Sequence, residues 1–311
     1  MKLEPTEGQI PFAIVDVFTS EPYGGNQLAV FLDLHDACIP PVMQQIAREL
    51  NFAEVAFVKR QITETAYQVR IFTPEYEVPF AGHPILGTAF VLNRYLIGRQ
   101  TDNILLQVPE GAIRVTFDMV QDGSTHILTM SQPQPRFGDI ISAKELADEL
   151  NIPLADLDSS LPIQQISTGL PYLIIPLLSR QAMESLSLSA DRCIQFLTSR
   201  QMHKSNCQTG LSTSFFFVCP EPYQPASSYA ARMFCLEHET IIEDAATGSA
   251  NGCFLAYLLN HIQREVSIVV EQGMQMNRPS SLRLRGSVKD NHYIINVGGQ
   301  VVPVAQGTWF L

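Results

Sequence analysis

The stretch Glu243-Asp-Ala-Ala-Thr-Gly-Ser-Ala-Asn-Gly-Cys-Phe-Leu255 joins two carboxylates to a turn of small residues that opens directly into an apolar helix. Over 253–259 the apolar positions go nearly all round the helical circumference, so this helix is expected to be buried. Its free amide N–H groups then need acceptors. A bound carboxylate would satisfy them, helped by the helix dipole. Thr247 and Ser249 are also natural capping residues, and a cap alone would serve. The local pattern leaves both readings open.

A second copy lies upstream. Arg70-Ile-Phe72, an acidic loop and Glu77-Val-Pro-Phe-Ala-Gly-His-Pro84 run into an apolar segment at 85–96. Arg232-Met-Phe234, an acidic loop and Glu243-Asp-Ala-Ala-Thr-Gly-Ser-Ala250 run into another at 251–262. With Gly82 laid on Gly248, an offset of 166 (248 − 82), Glu77 falls on Glu243 and Leu92 on Leu258. That offset is about half the chain, which reads as a duplicated half-domain with a strand, a glycine turn and one central helix in each copy.

At 311 residues the chain is long enough for two domains, each with its own core. Apolar residues make up 46% and charged ones 16%, as in a well-packed globular protein. The net charge of −11 argues against nucleic acid or an anionic membrane surface as partner. The cysteines 38, 193, 207, 219, 235 and 253 are scattered without a C-x-x-C pair, which suggests neither a zinc site nor a disulfide framework. Residues 1–9 carry no apolar run of signal-peptide length, and no stretch reaches the length of a membrane span. A soluble cytoplasmic protein is expected.

Along the chain, strands are expected at 11–18 and 28–32, joined by the turn Glu21-Pro-Tyr-Gly-Gly-Asn26, in which the glycines serve turn geometry. A helix at 41–50 ends at Asn51. Glu54 stands alone among apolar neighbours in Phe52-Ala-Glu-Val-Ala-Phe57, at the entry to a strand. It is either a residue on the wet face or a carboxylate whose basicity is raised by its surroundings, suited to moving a proton to and from carbon. A strand at 66–73 leads to the first glycine turn. There His83 begins a helix, where the positive dipole end favours a neutral ring, in a structural or a catalytic role. A meander follows at 104–108, 112–117 and 127–130, with turns at Glu110-Gly111 and Asp122-Gly-Ser124. Gln132-Pro-Gln-Pro-Arg-Phe-Gly138 reads as the linker between domains. The domains are then 1–131 and 132–299, with the C-terminal strand 300–311 free to return to the first.

The second half opens with a helix at 142–150, whose Ser142 and Glu145 fit a capping box. Strands at 163–167 and 172–178, a helix at 191–199, and strands at 215–219 and 229–235 lead to the second turn. Beyond the central helix come strands at 267–271, 282–285, 293–297, 301–304 and 309–311. Many short strands with one long buried helix per half point to an α+β fold, with sheets wrapped round a helix rather than alternating parallel units. No G-x-G-x-x-G or Walker lysine motif is present, so nucleotide cofactors lack support.

Gly24-Gly-Asn26, Phe52-Ala-Glu54, Phe72-Thr-Pro74, Glu77-Val-Pro-Phe-Ala-Gly-His-Pro84, Glu243-Asp-Ala-Ala-Thr-Gly-Ser-Ala250 and Gln272-Gly273 with Arg278-Pro279 together resemble the phenazine-biosynthesis PhzF-like isomerase family. The resemblance spans nearly the whole chain. It implies the diaminopimelate epimerase-like fold, in which two similar domains each wrap a mixed sheet or barrel round a central helix, with the site in the cleft between them. It makes Glu54 the general acid/base, with His83 and Asp244 as its partners. Ser249 with the Gly82 and Gly248 turns would hold the substrate's carboxylate, and Thr247 and Asn26 join them as substrate-binding residues. Thiol-dependent epimerases of this fold carry cysteines where this chain has Ala81 and Ala245, so a two-thiol mechanism is not expected. Gln27 and Ile85 depart from the family's commoner proline and threonine, away from the proposed chemistry.

The expected activity is a cofactor-independent isomerisation of a small unsaturated carboxylic acid. Glu54 removes a proton from one carbon and returns it to another, with no metal and no organic cofactor, and the resemblance allows a homodimer. Two rivals stand beside it. One is a non-catalytic ligand- or partner-binding member of the same fold; the other is an amino-acid racemase using Glu54 and Asp244 as opposed bases.

Overall fold

An apolar helix without a polar face has to be covered on every side, and each half of the chain covers one with a sheet. The computed structural model describes residues 8–98, 101–119, 126–237 and 239–311. It divides into two units, Met1–Ser131 with Val297–Leu311, and Gln132–Asn296.

In the first unit β1 (Gln9–Val17) and β2 (Asn26–Leu32) form the opening hairpin, followed by α1 (Pro40–Leu50), β3 (Glu54–Thr63), β4 (Ala66–Phe72) and the short β5 (Glu77–Val78). The central helix α2 (Gly82–Val91) continues into wide turns over Leu92–Ile97, and β6 (Asn103–Val108), β7 (Gly111–Met119) and β8 (His126–Ser131) complete the meander. The expected Asp122-Gly-Ser turn lies outside the described residues. Strands β1–β2, β3–β4, β4–β5, β6–β7 and β7–β8 pair antiparallel, while β2–β3 and β4–β6 are parallel. The C-terminal strand Val301–Phe310 closes on β1, antiparallel. Helix α2 is buried at every position but Phe90 and packs on β1, β2, β3, β6, β7 and β8. Its start at Gly82 lies one residue before His83, the expected beginning of the helix. On the outer face of the sheet, Met43, Ile46 and Ala47 of α1 pack with Phe31, Phe57 and Phe72. Burial on both faces explains why these strands read as apolar runs. The β1–β2 turn requires glycine at position 25, where φ is 61° and a Cβ would lie 2.2 Å from the Val17 carbonyl.

The second unit contains β9 (Arg136–Ile141), α3 (Ala143–Leu150), β10 (Ile163–Ser167), β11 (Pro171–Pro176), α4 (Arg180–Glu184), α5 (Ala190–Ser199), β12 (Ser214–Cys219) and β13 (Tyr229–Glu237). Then come β14 (Thr240–Asp244), the central helix α6 (Gly248–His261), β15 (Glu265–Gln272) and β16 (Ser280–Lys289). Strand β17 (His292–Gly299) leads the chain on to the C-terminal strand, β18. Apart from β7–β8, the pairings of the first unit recur here in the same order. β10–β11, β12–β13, β13–β14 and β15–β16 are antiparallel, β11–β12 and β13–β15 parallel, and β9 lies on β10 as β18 lies on β1. Helix α6 is buried from Gly248 to Leu259, and α3 and α5 cover Phe215, Phe217 and Phe234 on the outer face.

Several local expectations differ from the structure. The acidic loop before Glu243 is the hairpin β13–β14, and residues 136–138 of the expected linker belong to β9. Gln132 is buried, donates to the Gly248 carbonyl at 2.9 Å and accepts from Thr168 at 2.6 Å. Gly252 leaves it room, because a Cβ there would come within 1.9 Å of its Oε1. The capping box does not form: Ser142 precedes α3 without a side-chain cap bond, and Glu145 instead lies 3.9 Å from Arg200, whose charge outweighs one backbone N–H.

Candidate active site

In the first unit Glu54 is the first residue of β3, paired in register with Leu28 of β2, and its side chain is 19% exposed. His83 is the second residue of α2 and only 2% exposed. Its Nε2 lies 3.6 Å from Oε2 of Glu54 and has no hydrogen-bond partner. Burial pushes the imidazole pKa down to about 3, opposed by a hydrogen bond to the Gln27 backbone. The ring is therefore neutral at neutral pH. Since Nε2 is unpaired, Nδ1 carries the proton toward Gln27 and Nε2 presents a lone pair. A backbone contact does not depend on the side chain at 27, so the departure from proline leaves it intact. Asn26 is buried at the start of β2, opposite Val17. Gly82 begins α2, whose first turn has no side-chain cap.

Arg70 fixes the approach to this turn. Its Nε and Nη2 donate to the two Glu77 carboxylate oxygens at 2.7 and 2.5 Å, and its guanidinium lies 5.2 Å from the Phe72 ring centre. Arg232 repeats the device in the second unit, with bonds of 2.8 and 2.7 Å to Glu243 and its guanidinium 4.7 Å from the centre of Phe234. The two copies found in the sequence thus share one tie, a two-pronged clamp across a hairpin just before each central helix.

In the second unit Asp244 ends β14 and Gly248 begins α6. Neither expected cap acts as one. Thr247 occupies the N-cap position, but its hydroxyl donates to Oδ2 of Asp244 at 2.5 Å, and the Ser249 hydroxyl pairs with that of Tyr172 at 2.6 Å. The Thr247 hydroxyl donates to Asp244 and accepts from Gln272 instead of from a helix amide, and Tyr172 takes the hydroxyl of Ser249, so the start of α6, like that of α2, has no side-chain cap. Tyr172 carries no local signal, since only the β11–α6 packing brings it to Ser249. Gln272 is also part of this arrangement. It belongs to the quoted Gln-Gly motif, but the sequence assigned it no role.

A buried neutral imidazole beside a carboxyl group, at a helix start without a side-chain cap, can pass a proton and bind an anion. The repeated sheet-wrapped helix that carries it is the diaminopimelate epimerase-like fold. The chain belongs to the phenazine biosynthesis-like (PhzC-PhzF) family, whose match covers residues 15–307. It is similar to the trans-2,3-dihydro-3-hydroxyanthranilate isomerase of Pseudomonas fluorescens, with 33% identity over 302 residues, 96% of this chain and 98% of that one. The enzyme of the same name from Pseudomonas aeruginosa is 30% identical over 96% of this chain and 99% of its own. Among solved structures, the PhzF-family protein of Bacillus anthracis superposes with a TM-score of 0.83 at 25% identity, over 97% of this chain and 99% of that one. A hydroxyproline epimerase from Agrobacterium vitis, at 10% identity and a TM-score of 0.62 over 99% and 94% of the two chains, shares the fold. The protein is an isomerase of the PhzF family. Among the described residues no helix is long and apolar enough to cross a membrane.

Proposed function

We propose that this isomerase moves a proton between two carbons of a small unsaturated carboxylic acid, with Glu54 as its acid and base. The observation that carries the reading is the Glu54–His83 pair, a partly shielded carboxyl group 3.6 Å from an unpaired imidazole nitrogen. As carboxylate, Glu54 takes a proton from a C–H made acidic by the conjugated system. The electron pair shifts along the unsaturated framework, and the Glu54 carboxylic acid gives the proton to a second carbon. Nothing is oxidised or reduced. Neutral His83 accepts a hydrogen bond from Glu54 while Glu54 holds the proton, or from the ligand when it does not. The amides at the start of α2 stabilise the substrate carboxylate as charge spreads on to it. Asp244, Thr247, Gly248 and Ser249 enter the reading through the family resemblance, as carboxylate-binding and proton-handling groups. A two-thiol racemisation fits less well, because Ala81 and Ala245 stand at the thiol positions and can neither take nor give a proton.

The relatives' named substrate, trans-2,3-dihydro-3-hydroxyanthranilate, is an unsaturated carboxylic acid and is the first compound to test, followed by a panel of related acids. The protein is incubated with each in deuterated water and the products are read by proton NMR. Isomerisation with deuterium at one carbon, lost in Glu54→Gln, is expected. Exchange by Glu54→Gln as fast as by wild type would remove Glu54 from the mechanism. Exchange that only interconverts enantiomers would favour a racemase.

A further inference from the structure

Gln272 ends β15 with no exposed surface, and its side chain makes four hydrogen bonds, to Asp244, Thr247 and Asn251. Its Oε1 accepts from the Thr247 N–H at 3.1 Å and from Nδ2 of Asn251 at 3.1 Å. Its Nε2 donates to the Asp244 carbonyl at 2.9 Å and to Oγ1 of Thr247 at 3.0 Å. A flipped amide would set N–H against N–H on one side and oxygen against oxygen on the other, so the neighbours dictate this orientation. Oγ1 of Thr247 already receives the Gln272 donor, and its own single proton spans the 2.5 Å to Oδ2 of Asp244. The chain therefore has one direction, from Gln272 through Thr247 to Asp244, and keeps Oδ2 as an acceptor.

We propose that Gln272 and Thr247 are positioning residues that hold the Asp244 carboxylate turned and hydrogen-bonded for the isomerisation. This rests on the reading that Asp244 takes part in the reaction. Their rival role is only to satisfy amides near the start of α6, which the Oε1 half of Gln272 does alone. Gln272→Glu separates the two, because a carboxylate keeps both acceptor contacts and loses both donor contacts.

The test uses the full chain in wild type, Gln272→Glu, Thr247→Val and Thr247→Ser, each first shown to fold by circular dichroism. The side-chain carboxyl resonance of Asp244, identified by its loss in Asp244→Asn, is recorded by carbon-13 NMR at neutral pH. Gln272→Glu and Thr247→Val are expected to displace it by more than its line width, and Thr247→Ser to bring it back. With trans-2,3-dihydro-3-hydroxyanthranilate as probe, kcat is expected to fall about tenfold or more in the Glu and Val variants with KM changed less than about threefold, and Thr247→Ser to regain much of the loss. An Asp244 resonance unmoved by Gln272→Glu overturns the proposal whether or not wild type turns the probe over. A displaced resonance with unchanged kcat overturns it as well. Wild type inert toward the probe and the whole acid panel counts against the isomerisation reading alone, and the resonance still decides the chain. If Gln272→Glu fails to fold, the Val and Ser variants decide.

Discussion

Nε2 of His83 lies 3.6 Å from Oε2 of Glu54 with no hydrogen bond to satisfy it, in a ring whose proton affinity burial has lowered to a pKa of about 3. The unfolded chain binds a proton at this histidine near its ordinary 6.5, while the folded chain does so only near 3. Below 6.5 the unfolded state therefore binds more protons, and His83 makes folding less favourable as pH falls through that window. Between pH 8 and 5, wild type should lose roughly 2 kcal/mol more stability than His83→Gln. Urea unfolding of both proteins at the two pH values measures this. Equal losses would mean that the ring takes up its proton as readily in the folded protein as in the unfolded chain.

Replacing Glu54 by Gln removes the acid and base and preserves the size of the side chain. The expected loss in kcat is about 10²- to 10⁴-fold, the range for a general acid or base, with a far smaller change in KM. Direct kinetics on any acid that wild type isomerises gives the number. A KM effect alone would make Glu54 a binding residue.

Arg232 and Glu243 are more shielded, at 9% and 15% exposure, than Arg70 and Glu77, at 27% and 31%. Arg232 also donates to the Met183 carbonyl. Glu243→Gln should therefore cost about 2–4 kcal/mol, and Glu77→Gln about 1 kcal/mol. Denaturant titrations of the two variants compare them, and equal costs would show that shielding does not separate the two clamps.

The duplication was legible because its residues stand in short local runs: Arg-x-Phe, a glutamate, a glycine and an apolar helix, twice over. The two buried helices were legible because they lack a polar face. What failed was the choice among partners for the same hydroxyl. Thr247 sits where a cap sits, but Asp244 takes its proton, and no spacing rule ranks a nearby carboxylate above a helix amide. Tyr172 and Gln132 act across long separations, at Ser249 and at Gly248, and such pairings come from packing. The repeated prolines and glutamines of 132–135 look like a linker whether or not the residue that begins them is buried.

The hydroxyls of Tyr172 and Ser249 lie 2.6 Å apart, 3% and 2% exposed, in the second turn of sequence expected to bind a carboxylate. Removing either one leaves the other buried without this partner, whereas removing both deletes donor and acceptor together. Tyr172→Phe and Ser249→Ala should each cost about 1–2 kcal/mol, and the double variant less than their sum by about 1 kcal/mol. Equilibrium unfolding of the three variants gives the coupling. Added substrate acid extends the same cycle: if the Ser249 hydroxyl turns to the ligand carboxylate, the coupling shrinks when the ligand is bound. Coupling that stays constant as ligand saturates the protein would mean that Ser249 keeps Tyr172 throughout, and that backbone amides alone hold the carboxylate.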